Sequence, residues 1–398
     1  MSDKFFCVAP FVHLYGHTTG AIKTCCVGET TYGDTKVNSL EEIWHNDEFK
    51  NLRKEFIAGD ITENIAKNCA TCINFEKSGV HSLRTAMNDS YMPFADIQED
   101  PDLNLMYMDF RFNNFCNFKC RGCYNEYSSS INDEDHGERQ DIIFAGKTDR
   151  DIFDQIYPLL EDVQKIYFAG GEPLIQWQHW EILERLVEIG RTDVTLVYNT
   201  NFSTMKYKGG KNVIDYWKKF TDIQLLLSFD GIDKGAEYWR NGSDWPRLVK
   251  NVHRVVNEAP HVNVGCTTTV GWANLYTAMD FIDYCSDNSK TFINPEGINI
   301  NVLQHPVHFC VQTLPDWKKE ELEIRIRKTL HKYDSMGYKD SLLSRNLHAL
   351  ITFMWADRND NVVLKGAWKR IVTKRDKLRN ENFFETFPEH INMKELVE

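Results

Sequence analysis

The sequence predicts an α/β fold built on a parallel sheet, and three observations carry that expectation. From about residue 103 short apolar or β-branched runs alternate with stretches of helical periodicity. That makes six strands with helices between them, and such a repeat implies a parallel sheet with right-handed crossovers, barrel-like or doubly wound. A content of 42% hydrophobic and 13% aromatic residues is ample for a packed core over 398 residues.

The expected strands are LNLMYMDFRF (103–112), KIYFA (165–169), VTLVYN (194–199), IQLLLSF (223–229), VNVGCTTTV (262–270) and INVLQ (300–304). Between them DIFDQIYPLLEDV, HWEILERLVEIG, VIDYWKKF, WPRLVKNVHRVVNE and LYTAMDFIDYC repeat their apolar residues at helical spacing. Beyond Pro315 the pattern turns helical, clearest in WKKEELEIRIRKTLHKY and SLLSRNLHALITFMW. Residues 1–87 lack the alternation, carry clustered cysteines and read as a module of their own. Residues 88–102 read as a linker, 103–310 as the α/β core and 311–398 as a helical extension.

A formal net charge of −12 disfavours nonspecific attachment to nucleic acid or to an anionic membrane, so neither is an expected partner. No apolar run approaches the roughly 20 residues of a spanning helix. The start, MSDKFFCVAPFVHLYG, is interrupted by Pro10, His13 and a cysteine, and no small-residue cleavage site follows; a reducing cytoplasm is the expected location. Eleven cysteines are many for such a compartment. Most cluster as Cys25–Cys26, Cys69–Cys72 and the triplet Cys116, Cys120, Cys123, which points to metal or iron–sulfur ligation rather than disulfide staples.

In parallel α/β architectures reactive residues gather in loops at the carboxyl ends of strands. Here the first strand runs into the cysteine triplet, and the second ends in GGEP, Gly170 to Pro173. The third ends in NTN, Asn199 to Asn201, and the fourth in SFDG, Ser228 to Gly231. A tetrahedral metal site wants four ligands, so three thiols leave either a distant fourth ligand or one position kept for something else.

CX3CX2C after a first strand and GGEP after the second resemble the radical S-adenosylmethionine superfamily. The resemblance covers roughly residues 103–305. It implies a partial (β/α)6 TIM-like barrel and a [4Fe–4S] cluster on Cys116, Cys120 and Cys123, whose fourth iron receives S-adenosylmethionine. It implies reductive cleavage of that cofactor to a 5′-deoxyadenosyl radical, which abstracts hydrogen from a small-molecule or peptide substrate. The electron would come from a donor such as flavodoxin or ferredoxin. The glycine pair, Glu172 and Pro173 would meet the methionine amino group, Ser228 the ribose and Arg240 the carboxylate, a task suited to a planar fork. Asn201 and Asp230 complete the expected cofactor contacts. The position before the third cysteine, often aromatic in the family, is Gly122, so Tyr124 is the expected adenine contact. Asp230 also reads as a simple Asp-Gly turn, and Arg240 as a surface charge.

The amino-terminal module adds a second pattern: Cys7, twelve residues, Gly20, four residues, Cys25, and later Cys69-x2-Cys72. It resembles the SPASM/twitch auxiliary-cluster region of the same superfamily, which normally follows the barrel and here precedes it. SLEEIWHNDEFKNLRKEFIAGD matches the helix usual between the pairs. The resemblance implies one auxiliary [4Fe–4S] cluster on Cys7, Cys25, Cys69 and Cys72, with Cys25 preferred to Cys26 by the glycine spacing. Structural zinc in a four-cysteine knot is the alternative for this module. For the whole chain the alternative is a non-catalytic zinc protein that is structural or binds nucleic acid. Cys266 and Cys285 read as core packing. His305, His308 and Cys310 group after the sixth strand, as a gating loop or plain structure in preference to a metal site. TKRDKLRNENFFETFPEH reads as a solvated helix.

Overall fold

The computed structural model describes residues 5–77, 79, 81–356, 364 and 366–397. Its strands, in chain order, are β1 His13–Gly16, β2 Ala21–Lys23, β3 Gly33–Asp34, β4 Tyr107–Phe110, β5 Lys119–Cys120, β6 Lys165–Phe168 and β7 Thr195–Thr200, then β8 Ile223–Leu227, β9 Arg240–Asn241, β10 Asn263–Val270 and β11 Ile298–Val302. The fold is α/β with a large parallel sheet, consistent with the partial TIM-like barrel, and the helical carboxyl-terminal part is present. All six strands read from the sequence are found, as β4, β6, β7, β8, β10 and β11. The chain divides into two compact units.

The first unit comprises Met1–Cys116, Asn125–Tyr198 and Lys218–Ile223. Here β4, β6 and β7 pair in parallel, with Tyr107 opposite Lys165 and Lys165 opposite Thr195. Sequence analysis assigns no strand before residue 103, yet β1 pairs in parallel with β4, His13 opposite Tyr107 and Tyr15 opposite Asp109. The cysteine-rich region thus continues the core sheet, and β2 and β3 extend it in antiparallel fashion. Four residues with no apolar–polar alternation give no periodic signal, and all four of β1 are buried. Alternation puts Leu14, Met108, Phe110, Ile166 and Phe168 on one face and His13, Tyr15, Tyr107, Asp109, Lys165 and Tyr167 on the other. The expected helix of the cysteine-rich region is split into Leu40–Trp44 and Asp47–Ala58. Ser39 and Asn46 cap their starts, and Gly59, at φ +86°, ends the second. Arg53 is buried beneath them, donating to the Pro10 and Trp44 carbonyls at 2.8 Å each and lying 4.1 Å over the Trp44 ring. The expected linker begins inside the helix Leu83–Tyr91.

The second unit comprises Asn117–Tyr124, Asn199–Trp217 and Gln224–Glu398. In it β8, β10 and β11 pair in parallel, and β5 and β9 form a two-residue antiparallel ladder. The helix Trp245–Glu258 buries Leu248, Val252 and Val255 along one stripe, with Asp244 as its cap. In the extension, Asp316–Ser335 buries Leu322, Ile326 and Leu330, and Leu342–Trp355 buries Leu343, Leu347, Leu350 and Met354. Each stripe removes three or four large apolar side chains from water, at roughly 1.5–3 kcal/mol apiece.

Candidate functional site

In the first unit the segment after β4 is fixed by amides. Asn114 is fully buried; its Oδ1 accepts from the Ile143 N–H at 2.9 Å, and its Nδ2 donates to the Asn125 carbonyl at 2.8 Å. Cys116 is held through its backbone: its N–H donates to Ser129 Oγ at 3.2 Å and its carbonyl accepts from Ser130 Oγ at 2.7 Å. The loop after β6 lies directly on this segment. Gly171 N–H donates to the Asn113 carbonyl at 3.2 Å and Glu172 N–H to the Phe115 carbonyl at 2.8 Å. Gly170 sits at φ +111°, and a Cβ on Gly171 would stand 2.1 Å from the Phe115 carbonyl oxygen. No other residue type fits that close approach. Glu172 is buried and caps the short turn Pro173–Ile175, its Oε1 accepting from Leu174 N–H at 3.1 Å.

In the second unit Cys120 belongs to β5, opposite Arg240 in β9. Cys123 follows on a turn in which its N–H donates to the Cys120 carbonyl at 3.1 Å. The reading of Arg240 as a surface charge is corrected: it is largely buried, its Nε donates to Asp230 Oδ2 at 2.7 Å, and its Nη1 lies 3.7 Å from Cys120 Sγ. Asp230 is likewise more than a turn residue, since its other oxygen accepts from the Thr269 N–H at 2.7 Å. Burial pushes the Cys123 thiol up to about 12 and raises Cys120 as well, while the Arg240 cation opposes both shifts. Asn201 is buried, donates from Nδ2 to Asn117 Oδ1 at 3.0 Å and accepts from Ser203 N–H at 2.9 Å. Ser228 N–H donates to the Thr200 carbonyl at 2.9 Å, and Tyr124 is 41% exposed.

The amino-terminal thiols come together within the first unit. Cys7, Cys25, Cys69 and Cys72 line one pocket, closed by Phe56 and Met87. Burial pushes Cys25 up to about 11 and Cys69 up to about 12, and the neighbouring thiols add to both shifts. Cys26 does not line this pocket and is exposed. Among the described residues no three His, Cys, Asp or Glu side chains stand in a ligating arrangement. The donor set nonetheless suits iron–sulfur: no disulfide ties up any of the eleven cysteines, and four of them converge in one pocket, where burial and the neighbouring thiols oppose ionisation of Cys7, Cys25 and Cys69. A bound cation would stabilise the thiolates there.

Cys266 and Cys285 are fully buried core residues, as the sequence implies. His308 and Cys310 are buried too, Cys310 Sγ lying 3.8 Å from Gln312 Oε1. Two groups escaped the sequence reading. One is the buried pair Arg111–Asp109 at 3.2 Å, with Arg111 Nε donating to the Tyr15 hydroxyl at 3.1 Å and burial pushing Asp109 up to about 6. Polar residues at every second position of YMDFR were its signal. The other is Arg121, set between two of the cysteines.

The radical SAM superfamily model matches residues 110–273, and the model of the SPASM iron–sulfur cluster-binding domain matches residues 7–73. No curated protein matches the chain. Among solved structures, native anSMEcpe with bound AdoMet aligns at TM-score 0.40 and 14% identity, over 57% of this chain and 60% of that one. Streptococcus suis SuiB bound to precursor peptide SuiA aligns at TM-score 0.37 and 12% identity, over 86% of this chain and 67% of that one. TYW1 with a lysine-pyruvate adduct aligns at TM-score 0.33 and 11% identity, over 56% and 70%. The chain spans 60% of the length of the first of these. The matched domains imply a [4Fe–4S] cluster, S-adenosylmethionine and auxiliary iron–sulfur as cofactors. The chain thus carries a radical S-adenosylmethionine superfamily domain over residues 110–273 and, at its amino terminus, a SPASM iron–sulfur cluster-binding domain over residues 7–73.

Proposed function

We propose that the chain is an enzyme that cleaves S-adenosylmethionine reductively at a [4Fe–4S] cluster on Cys116, Cys120 and Cys123, and abstracts hydrogen from a small-molecule or peptide substrate. A second [4Fe–4S] cluster would be held by Cys7, Cys25, Cys69 and Cys72, and a flavodoxin- or ferredoxin-like donor would supply electrons. The observation that carries the reading is the seating of Gly171 against the Phe115 carbonyl, which lays the glycine loop beside Cys116 where no side chain could intrude.

The bound cluster and cofactor supply the electron and the cleavable carbon–sulfur bond; the chain supplies position. Gly170 to Pro173 would meet the methionine ammonium through their backbone and the Glu172 carboxylate. Ser228 and Asn201 offer hydrogen bonds to the ribose, and Tyr124 an aromatic face to adenine. Arg240 spends Nε on Asp230, which fixes the plane of its fork and leaves further N–H groups for the cofactor carboxylate. The pair also places a cation beside Cys120, where it favours the ligating thiolate.

The test is anaerobic reconstitution. A brown protein with about eight irons per chain, absorbing near ~400 nm and forming 5′-deoxyadenosine when reduced with S-adenosylmethionine, supports the reading. A colourless protein with stoichiometric zinc refutes it.

A further inference from the structure

Arg121 stands in the cysteine loop, between Cys120 and Cys123, and is 1% exposed. Its backbone N–H donates to the Trp239 carbonyl at 2.8 Å, and its guanidinium carbon lies 3.6 Å from the centre of the Tyr238 ring. Its Nη2 reaches two carboxylates far along the chain, Asp376 at 2.6 Å and Glu381 at 2.5 Å. Asp376 lies within the short helix Thr373–Arg379 and Glu381 just beyond it. Asp376 is the hub of that segment. Its Oδ1 also accepts from the Tyr238 hydroxyl at 2.7 Å, its Oδ2 from Phe383 N–H at 2.9 Å, and its carbonyl from Glu381 N–H at 2.9 Å. Glu381 Oε1 accepts from Asn241 Nδ2 at 2.8 Å, and Asn241 is the β9 residue opposite Lys119. Arg375 donates to the Arg121 carbonyl at 3.5 Å. Residues 373–383 therefore hold Arg121 of the cysteine loop and Asn241 of β9, all within the second unit.

We infer that residues 373–383 are a strap that fixes the three-cysteine loop, with Arg121, Asp376 and Glu381 as positioning residues for the cluster it carries. This rests on the proposed function for the identity of that cluster, while the strap itself rests on the contacts just described. The reading of this segment as a solvated helix is set aside by the same contacts. A loop that must present three thiols at fixed separations gains little from its own short ladder, and a buried fork tied to two carboxylates removes its remaining freedom. The strap also brings Arg375 and Arg379 into the electrostatic surroundings of Cys123 and Cys120. A change in the strap is thus felt at the cluster as charge as well as shape.

The test compares the parent full-length chain with Asp376→Asn/Glu381→Gln, with Arg121→Lys, and with all three substitutions combined, each reconstituted without oxygen. Two readouts are taken: the paramagnetic signal and midpoint potential of the reduced chain with and without S-adenosylmethionine, and hydrogen exchange of peptides spanning 113–127. The carboxylate pair variant is expected to keep the auxiliary cluster signal, to lose most of the cofactor-induced change in the other signal and to show a moved potential. Its exchange over 113–127 should quicken at least tenfold. Arg121→Lys alone should reproduce most of the loss, because a single ammonium cannot hold both carboxylates in one plane, and the triple variant should be no worse than the pair. Unchanged signal, potential and exchange overturn the strap, as does quickened exchange spread evenly over the whole chain. A parent chain whose signal ignores S-adenosylmethionine sinks the proposed function instead, and the exchange result still decides the strap.

Discussion

The two sets of thiols are assembled in opposite ways. Cys7, Cys25, Cys69 and Cys72 lie on separate elements of the first unit: before the first short helix, after β2, at the end of the helix Glu63–Asn68 and within Ala70–Lys77. Only tertiary packing brings them to one pocket, so their meeting depends on the fold around them. Cys116, Cys120 and Cys123 share one short loop, and their spacing is a property of the sequence. Within the first unit Cys116 is held through Ser129 and Ser130, and within the second Cys120 is held by the β5–β9 ladder and its neighbour Arg121 by the carboxylate junction. A distributed set makes ligation and folding one process, whereas a local set makes ligation cheap and positioning the difficulty.

The largest effect should come from erasing the local set. Replacing Cys116, Cys120 and Cys123 together by Ala is expected to abolish 5′-deoxyadenosine formation and to lower iron from about eight to about four per chain, with the auxiliary signal intact. Replacing Cys69 and Cys72 should do the converse. Cofactor cleavage persists within about tenfold of the parent, a barrier change of no more than ~1.4 kcal/mol, while thermal stability falls because a folding ligand is lost. Cleavage assays beside calorimetry on both variants decide it, and a reversed pattern exchanges the two assignments.

The same contrast explains what the sequence disclosed. Short apolar or β-branched runs and period-3.6 patterns found all six core strands and the two long helices of the extension. The triplet and GGEP were legible because close spacing and a glycine pair are local. β1 was hidden, four residues long and buried on both faces, and with it the continuity of the cysteine-rich region with the sheet. Arg240 and Arg121 were visible as residues but not as buried groups, since their partners Asp230, Asp376 and Glu381 stand 10 to 260 positions away. Charge pairing over such separations leaves no periodic trace.

A smaller effect separates packing from ligation within the local set. Gly171→Ala drives a Cβ to 2.1 Å from the Phe115 carbonyl oxygen, whereas Gly122→Ala meets only side-chain carbons at 3.5 Å and beyond. Overpacking of the first kind costs about 1–3 kcal/mol. Cofactor cleavage should therefore fall roughly tenfold to hundredfold in Gly171→Ala, and by less than about threefold in Gly122→Ala. Equal losses in the two would mean that the loop yields freely and that the close seating does not matter.

The smallest expected effect concerns the join between the distributed set and the sheet. His13 lies on β1, its Nδ1 2.8 Å from the Tyr107 carbonyl and its ring stacked 4.2 Å from the Tyr107 ring. Burial lowers its pKa to about 4, against an ordinary 6.5, so the folded state favours the neutral ring. Because the folded value lies below the unfolded one, the unfolded chain binds the extra proton between those limits. The stabilisation from keeping His13 neutral is complete above pH 6.5 and is lost as the pH falls towards 4. His13→Gln should lower stability at pH 7, by roughly 1 kcal/mol for the lost stacking and imperfect hydrogen bond, and remove part of the acid-dependent fall between pH 6.5 and 4. Denaturant unfolding at pH 7, 6, 5 and 4 measures both slopes. Parallel curves for parent and variant would show that β1 is not where acid loosens the first unit, and the distributed thiol set would then depend on packing elsewhere.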